Sequence, residues 1–177
     1  MDSINKNQPE DNYKDLGGRE AIEKLKDLTK DAACFFSTTE TVSKTGGTRP
    51  MSVQDIDDNG DLWFLSASDS HKNAAIESNP SVKLFFKGSD HAEFLALDGK
   101  ASITRDKAII KRLWTPILKV WFTEGEDDPR ITAIKVTPVD GYYWDNKHGS
   151  AVAGVKMLIG AAIGKTLDDS IEGKIAP

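Results

Sequence analysis

Two short segments of this chain carry groups that could bind an anion. Arg49 opens one run of strand-forming residues, and Ser66, Ser70, His71 and Lys72 follow at the end of the next run. If the intervening turn reverses the chain, both segments come to the same end of a hairpin. Guanidinium, ammonium and hydroxyl groups beside the free amides of a helix N-terminus favour a phosphate. On spacing alone, solvated surface charges are the commoner arrangement, so this interpretation needs further support.

Other chemistries have weaker signals in the sequence. The three histidines are far apart and the only cysteine, Cys34, has no partner at metal-ligand spacing, so no metal site is predicted. The chain lacks a Gly-x-Ser-x-Gly elbow, a Walker phosphate loop and a Gly-x-Gly-x-x-Gly turn. Hydrolase and Rossmann-type chemistry are therefore not expected.

Composition limits the class of protein. The chain has 177 residues and a formal net charge of -5, which suits one domain and disfavours binding to nucleic acid or anionic membranes. Its polar N-terminus does not resemble a signal peptide, and Cys34 lies in an apolar run where a buried thiol is expected. A cytoplasmic protein is predicted.

Hydrophobic patterns predict a helix at 19–30 and then a series of strands. The predicted strands are 34–39, 49–56, 62–67 and 82–86. Asn59-Gly60 predicts a type I′ hairpin turn over 58–61. Ser70 is a predicted N-cap for a short helix that ends at Asn79.

The later part of the chain continues this pattern. Residues 93–104 predict either a hairpin or one long bulged strand at Asp98-Gly99. A helix is predicted from Lys107 to about Phe122 with an interruption at Pro116, followed by a last strand over 132–139 that continues through Trp144. Trp114 and Trp121 would then lie on one helical face, as a candidate dimer contact.

Antiparallel strands joined by hairpins favour a small barrel over a doubly wound parallel sheet. We therefore predict a mainly β protein with peripheral helices. The expected organisation is a flexible N-terminal tail over 1–15, the barrel domain over 16–149 and a C-terminal helix or tail over 150–177.

Several short motifs of the chain resemble those of a known family. Arg49-Pro50-Met51, followed by Phe64-Leu65-Ser66 and His71-Lys72, resembles the flavin-binding core of pyridoxamine 5'-phosphate oxidase-like split barrels. The later residues resemble those of the bacterial general stress protein group within that superfamily. These later residues are Trp114-x-Pro116, Trp121-Phe122, Gly125, Asp128-Pro129 and Trp144-Asp145.

The resemblance implies a homodimer of six-stranded antiparallel split β-barrels that binds FMN, or in some members FAD, at the subunit interface. It implies cofactor contacts for eleven residues and makes a nicotinamide nucleotide a candidate electron donor. These residues are Arg49, Pro50, Met51, Ser52, Val53, Leu65, Ser66, His71, Lys72, Trp114 and Trp144.

The chain also departs from the true oxidases. Asp145-Asn146-Lys147-His148-Gly149 replaces the Arg-x-His motif that holds their substrate, and Phe94 replaces a glutamine before Gly99. Vitamin B6 oxidation is therefore not predicted. The leading hypothesis is a flavin-dependent oxidoreductase of unknown substrate, and the alternatives are a non-catalytic flavin-binding stress protein or a barrel that binds another cofactor, such as a deazaflavin or haem.

Overall fold

The structure is a computed structural model that describes residues 12–39, 47–88, 93–163 and 169–177. Four α-helices, two short 3-10 helices and nine strands occur in these ranges. The helices are α1 (Gly18–Thr29), α2 (His71–Ser78), α3 (Lys107–Leu113) and α4 (Ser150–Ile163). The strands are β1 (Leu16–Gly17), β2 (Ala33–Thr38), β3 (Thr48–Met51), β4 (Asp55–Ile56), β5 (Leu62–Ala67), β6 (Ser81–Lys87), β7 (Phe94–Thr104), β8 (Ile131–Asn146) and β9 (Ser170–Ala176).

All nine strands belong to one sheet, which is ordered β1-β9-β8-β7-β6-β2-β3, while β5 joins β8 and β4 joins β5. The segment 48–56 pairs with β2 through β3 and with β5 through β4, so it links the β3 end of this order to the β5 branch and curls the sheet. The prediction of a mainly β protein with helices is confirmed. The predicted count of six strands is wrong, and the pairing of β1 with β9 is parallel.

Long antiparallel pairings form the centre of the sheet. β7 pairs with β8 over its whole length, with a shift between Asp98 and Gly99 that leaves Val139 of β8 without an opposite residue. Of the two predicted arrangements for 93–104, the single strand is therefore the correct one. β8 also runs past Trp144 to Asn146, and it is not the last strand, because β9 pairs with residues 142–146.

Two turns differ from the sequence prediction. β4 and β5 form the expected hairpin, but only Gly60 in this turn has a positive φ, of 82°, and its amide donates to the Asp57 carbonyl at 3.0 Å. A type I′ turn needs positive φ at both central residues, so the predicted turn type is wrong. The helix predicted to reach Phe122 ends at Leu113, before a 3-10 helix over Pro116–Val120.

The chain termini extend the sheet. The Lys14 amide donates to the Glu172 carbonyl at 2.9 Å, and Leu16 pairs with Ile175. The sequence predicts a flexible tail over 1–15, but residues 12–15 are attached to β9. Residues 1–11 lie outside the described ranges. Among the described residues, no helix has the length and hydrophobicity needed to span a bilayer.

Two hydrophobic clusters lie on opposite faces of β5. Leu62 and Phe64 belong to the larger cluster inside the curled sheet, where Phe36 packs edge-on against Phe64. Trp63 and Leu65 point the other way and pack under α3. Because strand side chains alternate, Ser66 shares the inner face with Phe64.

Candidate functional site

Lys72 is the centre of a buried polar cluster at the N-terminus of α2. Only 5% of this residue is exposed, and its Nζ donates to Ser66 Oγ and, at 3.5 Å, to Ser70 Oγ. Ser70 caps the helix as predicted, since its side chain accepts from the Asn73 amide. The local sequence thus turns the end of β5 directly into a helix whose first amides face these hydroxyls.

Asn73 and Thr132 extend the hydrogen-bond network of this cluster. Asn73 Oδ1 lies 2.8 Å from Ser66 Oγ, and Asn73 Nδ2 donates to Thr132 Oγ1 at 2.8 Å. The Thr132 hydroxyl donates in turn to the Ser66 carbonyl at 2.9 Å. Both residues are almost fully buried, so the network fixes the start of α2 against β5 and β8. Neither residue was selected from the sequence.

Arg49 faces the same region from β3. It pairs with Phe36 of β2, and Met51, two residues later, packs on the inner core, so Arg49 also lies on the inner face. Its buried Nε has no hydrogen-bond partner among the described residues. A buried donor without a partner is costly, and an added anion would satisfy it.

The two cations interact electrostatically. Burial, together with the positive charge of Arg49, lowers the pKa of Lys72 to about 8. Within the described part of the chain, no carboxylate forms an ion pair with either residue. The cluster therefore holds excess positive charge next to hydroxyl donors, an arrangement that fits a phosphate.

The other residues predicted to contact the cofactor lie on several different surfaces. Met51 and Val53 are half-buried and pack against the inner core, whereas Pro50 and Ser52 are exposed. Leu65 belongs to the cluster under α3, on the face opposite Ser66. His71 precedes Lys72 but is exposed. The structure thus brings together Arg49, Ser66 and Lys72, while the others line neighbouring surfaces.

The two predicted tryptophans lie apart from this cluster within one chain. Trp114 is half-buried under α3, with its ring 6.3 Å from that of Phe122. Trp121 points outward and is 63% exposed, so the predicted shared helical face of Trp114 and Trp121 is wrong. Trp144 lies on the outer face of β8, in the half that pairs with β7 and β9, and its ring centroid lies 4.8 Å from that of Tyr142 with the two rings tilted by 52°.

Trp144 lines an apolar groove on the outer face of the sheet. The groove has a volume of about 380 Å³, and its aromatic walls are Phe35, Phe85, Phe94 and Trp144. Phe35 and Phe85 are directly paired neighbours on β2 and β6, and each is more than 40% exposed. Aromatic surface of this kind commonly marks a binding site for a ring system or for another protein.

Comparison with known proteins agrees with this architecture. The family model described as "Pyridoxamine 5'-phosphate oxidase like" matches residues 20–168. The chain belongs to the pyridoxamine 5'-phosphate oxidase-like family. That match spans most of α1, the sheet from β2 to β8 and α4, including Arg49, Ser66 and Lys72.

Individual relatives include general stress proteins. Protein bli-3 of Neurospora crassa is 28% identical over 153 residues, which cover 77% of this chain and 73% of that protein. A crystal structure assigned to general stress protein 26 from Jannaschia sp. CCS1 has a TM-score of 0.66 at 22% identity and covers 89% of this chain and 95% of its own. The general stress FMN/FAD binding protein of Xanthomonas citri has a TM-score of 0.57 at 25% identity, covering 67% and 82%.

Proposed function

We propose that this protein binds FMN, with FAD as the alternative, and uses it as a flavin-dependent oxidoreductase of the general stress group. The observation that carries this proposal is the unneutralised pair Arg49 and Lys72 beside the hydroxyls of Ser66 and Ser70. Family membership and the FMN/FAD binding named for the Xanthomonas citri protein support the choice of a flavin phosphate.

In this proposal the chain's own residues bind and orient the cofactor. Arg49 and Lys72 would hold the phosphate, with the first amides of α2 as further donors. A bound flavin supplies hydride or electron transfer, and the protein supplies position and electrostatic surroundings. Met51 and Val53, which lie on the same segment as Arg49, would continue the wall of the site.

A homodimer with the flavin at the subunit interface is part of the proposal. Arg49 lies on the inner face of β3, whereas Trp144 lies on the outer face of β8 in the same chain. A second subunit could supply the aromatic wall that one chain does not place near Arg49. Light scattering tests this point, and a flavin-loaded monomer would contradict it.

The decisive experiment identifies the chromophore and its anchor. We expect the purified protein, after reconstitution with FMN, to retain about one flavin per chain, and Arg49→Ala to bind at least tenfold more weakly. Lys83→Ala is the matched control, because Lys83 pairs with Asp98 on the sheet surface, at 2.7 Å. Equal flavin binding by the wild type and both variants would contradict the assigned site.

A non-catalytic flavin-binding role is the second candidate, and one observation favours it. The side chains that replace the oxidase substrate motif are engaged in internal contacts: Asp145 with Lys24, Lys147 with Asn12 at 2.7 Å and His148 with Asp169 at 2.7 Å. Turnover of the flavin-loaded protein with nicotinamide donors and a panel of acceptors separates the two roles. Rapid turnover with any pair supports the oxidoreductase.

A further inference from the structure

The side-chain amine of Lys72 is held by hydroxyl groups. Its Nζ donates to Ser66 Oγ and, at 3.5 Å, to Ser70 Oγ. A hydroxyl accepts a hydrogen bond from a protonated amine and can donate one to a neutral amine, so these contacts suit both forms of Lys72. Asn73 and Thr132, which complete the buried network, are neutral as well. The geometry therefore lets Lys72 lose its proton without breaking the network.

The charged residues described around Lys72 do not stabilise its protonated form. Burial, together with the permanent positive charge of Arg49, lowers the pKa of Lys72 to about 8. Asp69 precedes the helix but is exposed, and its charge acts on Arg130. His71 is also exposed and, when charged, adds to the positive potential. Close to pH 8, about half of the flavin-free chains therefore carry a neutral Lys72.

A bound phosphate reverses this balance. An anion beside Nζ favours the protonated amine, because it supplies opposite charge and strong acceptors. Above pH 7 a phosphomonoester is mostly a dianion, since its second pKa is about 6. Two negative charges match Arg49 and a protonated Lys72, whereas a neutral Lys72 leaves one of them uncompensated. The phosphate-bound state therefore holds a proton that part of the flavin-free chains lack.

We propose that the flavin phosphate binds together with a proton on Lys72 Nζ, so that the affinity for FMN falls as the solution becomes alkaline. The inference rests on the proposed flavin site and adds its regulation by pH. Binding raises the pKa of Lys72 above its flavin-free value, so binding takes up a proton and weakens as pH rises through about 8. Arg49 stays protonated throughout this range and cannot produce such a dependence.

Calorimetry measures the proton directly. Wild type is titrated with FMN in two buffers that differ in ionisation enthalpy, and the difference in heat gives the protons taken up per flavin. We expect between about half a proton and one proton at pH 8.5, and close to none at pH 7. Riboflavin, which lacks the phosphate, is the matched control ligand and should bind without this uptake. His71→Gln is the matched control variant and should keep it.

Two calorimetric results would overturn the inference without touching the flavin site. One is tight FMN binding at pH 8.5 with no proton uptake, and the other is an uptake that disappears in His71→Gln. Failure to bind any flavin between pH 7 and pH 10 would overturn both the inference and the proposed function. The two kinds of failure are therefore distinguishable.

The ratio of FMN to riboflavin affinity gives an independent readout. Both ligands contain the same ring, so effects of pH on the ring cancel in this ratio. We expect the wild-type ratio to fall at least tenfold from pH 7 to pH 10, while circular dichroism confirms that the fold persists. In Lys72→Arg, whose guanidinium keeps its charge, and in Lys72→Met, which has none, the ratio should change by less than twofold. A constant wild-type ratio, or an equal fall in Lys72→Met, would overturn the proposal.

Discussion

Lys72 is buried next to Arg49, and no described carboxylate neutralises either of them. This arrangement costs folding free energy, because burial of Lys72 and the nearby positive charge of Arg49 both disfavour the protonated lysine amine. Proteins retain such arrangements where a ligand of opposite charge repays the cost. This pair of residues is therefore the strongest sign of an anion site among the residues that the structure describes.

Replacing Lys72 with methionine should separate stability from binding. We expect Lys72→Met to raise the free energy of unfolding of the flavin-free protein at pH 7 by about 1 to 3 kcal/mol, because the buried charge is removed. The same variant should bind FMN at least tenfold more weakly. Urea unfolding and flavin titration measure the two effects. Lys83→Met is the control, and a variant that is both less stable and fully able to bind FMN would contradict the assignment.

The contribution of Lys72 to the stability of the flavin-free protein should depend on pH in a predictable direction. The folded pKa of Lys72 is about 8, below the ordinary 10.5, so between these values the unfolded chain binds more protons than the folded one. The free energy of unfolding then rises with pH over this range. We expect wild type to gain stability relative to Lys72→Met between pH 7 and pH 10 in urea titrations. A relative loss over this range would show that Lys72 is not buried in its charged form.

Asn73 should prove necessary for the site, although no local sequence pattern indicates this role. Asn73→Ala removes the buried hydrogen bonds of Asn73 with Ser66 Oγ and Thr132 Oγ1, and we expect a loss of about 1 to 3 kcal/mol in unfolding free energy. Because Ser66 then loses its orientation, flavin affinity should fall as well. Glu77→Ala, on the exposed face of α2, is the control. Unchanged flavin affinity in Asn73→Ala would separate the network from the binding site.

Gly173 should control whether the N-terminal segment stays on the sheet. A Cβ at this position would overlap the Lys14 carbonyl, which belongs to the backbone and cannot rotate away. We expect Gly173→Ala to increase hydrogen exchange of the Lys14 amide at least tenfold, while Gly154→Ala, which meets no atom within 4 Å, leaves it unchanged. Protection retained in Gly173→Ala would show that this strand tolerates a shift.

The sequence predictions are correct where the local structure depends on residues that are close together in the chain. The Ser70 cap, α2 and β5 follow from residues within a few positions of each other, and the motif around Arg49 led to the correct family. Long-range partners could not be found in this way. Asn73 and Thr132 lie 59 positions apart, and only the fold brings them together.

Two further elements differ from the sequence prediction, each for its own physical reason. β9 contains Gly173 between charged residues and has little strand propensity of its own, so its pairing with the second half of β8 stabilises it. The turn at Asn59-Gly60 was predicted from a common dipeptide, but Asp57 accepts the Asn59 and Asp61 amides and selects another turn. Side-chain capping of this kind competes with the intrinsic preference of the dipeptide.

The most direct test of the central claim compares FMN with riboflavin, which differs by the phosphate alone. If Arg49 and Lys72 hold that phosphate, equilibrium titration of wild type will show FMN binding at least a hundredfold tighter than riboflavin, and Lys72→Met will lose most of this difference. Equal affinity for the two flavins in wild type, or no binding of either, would contradict the account.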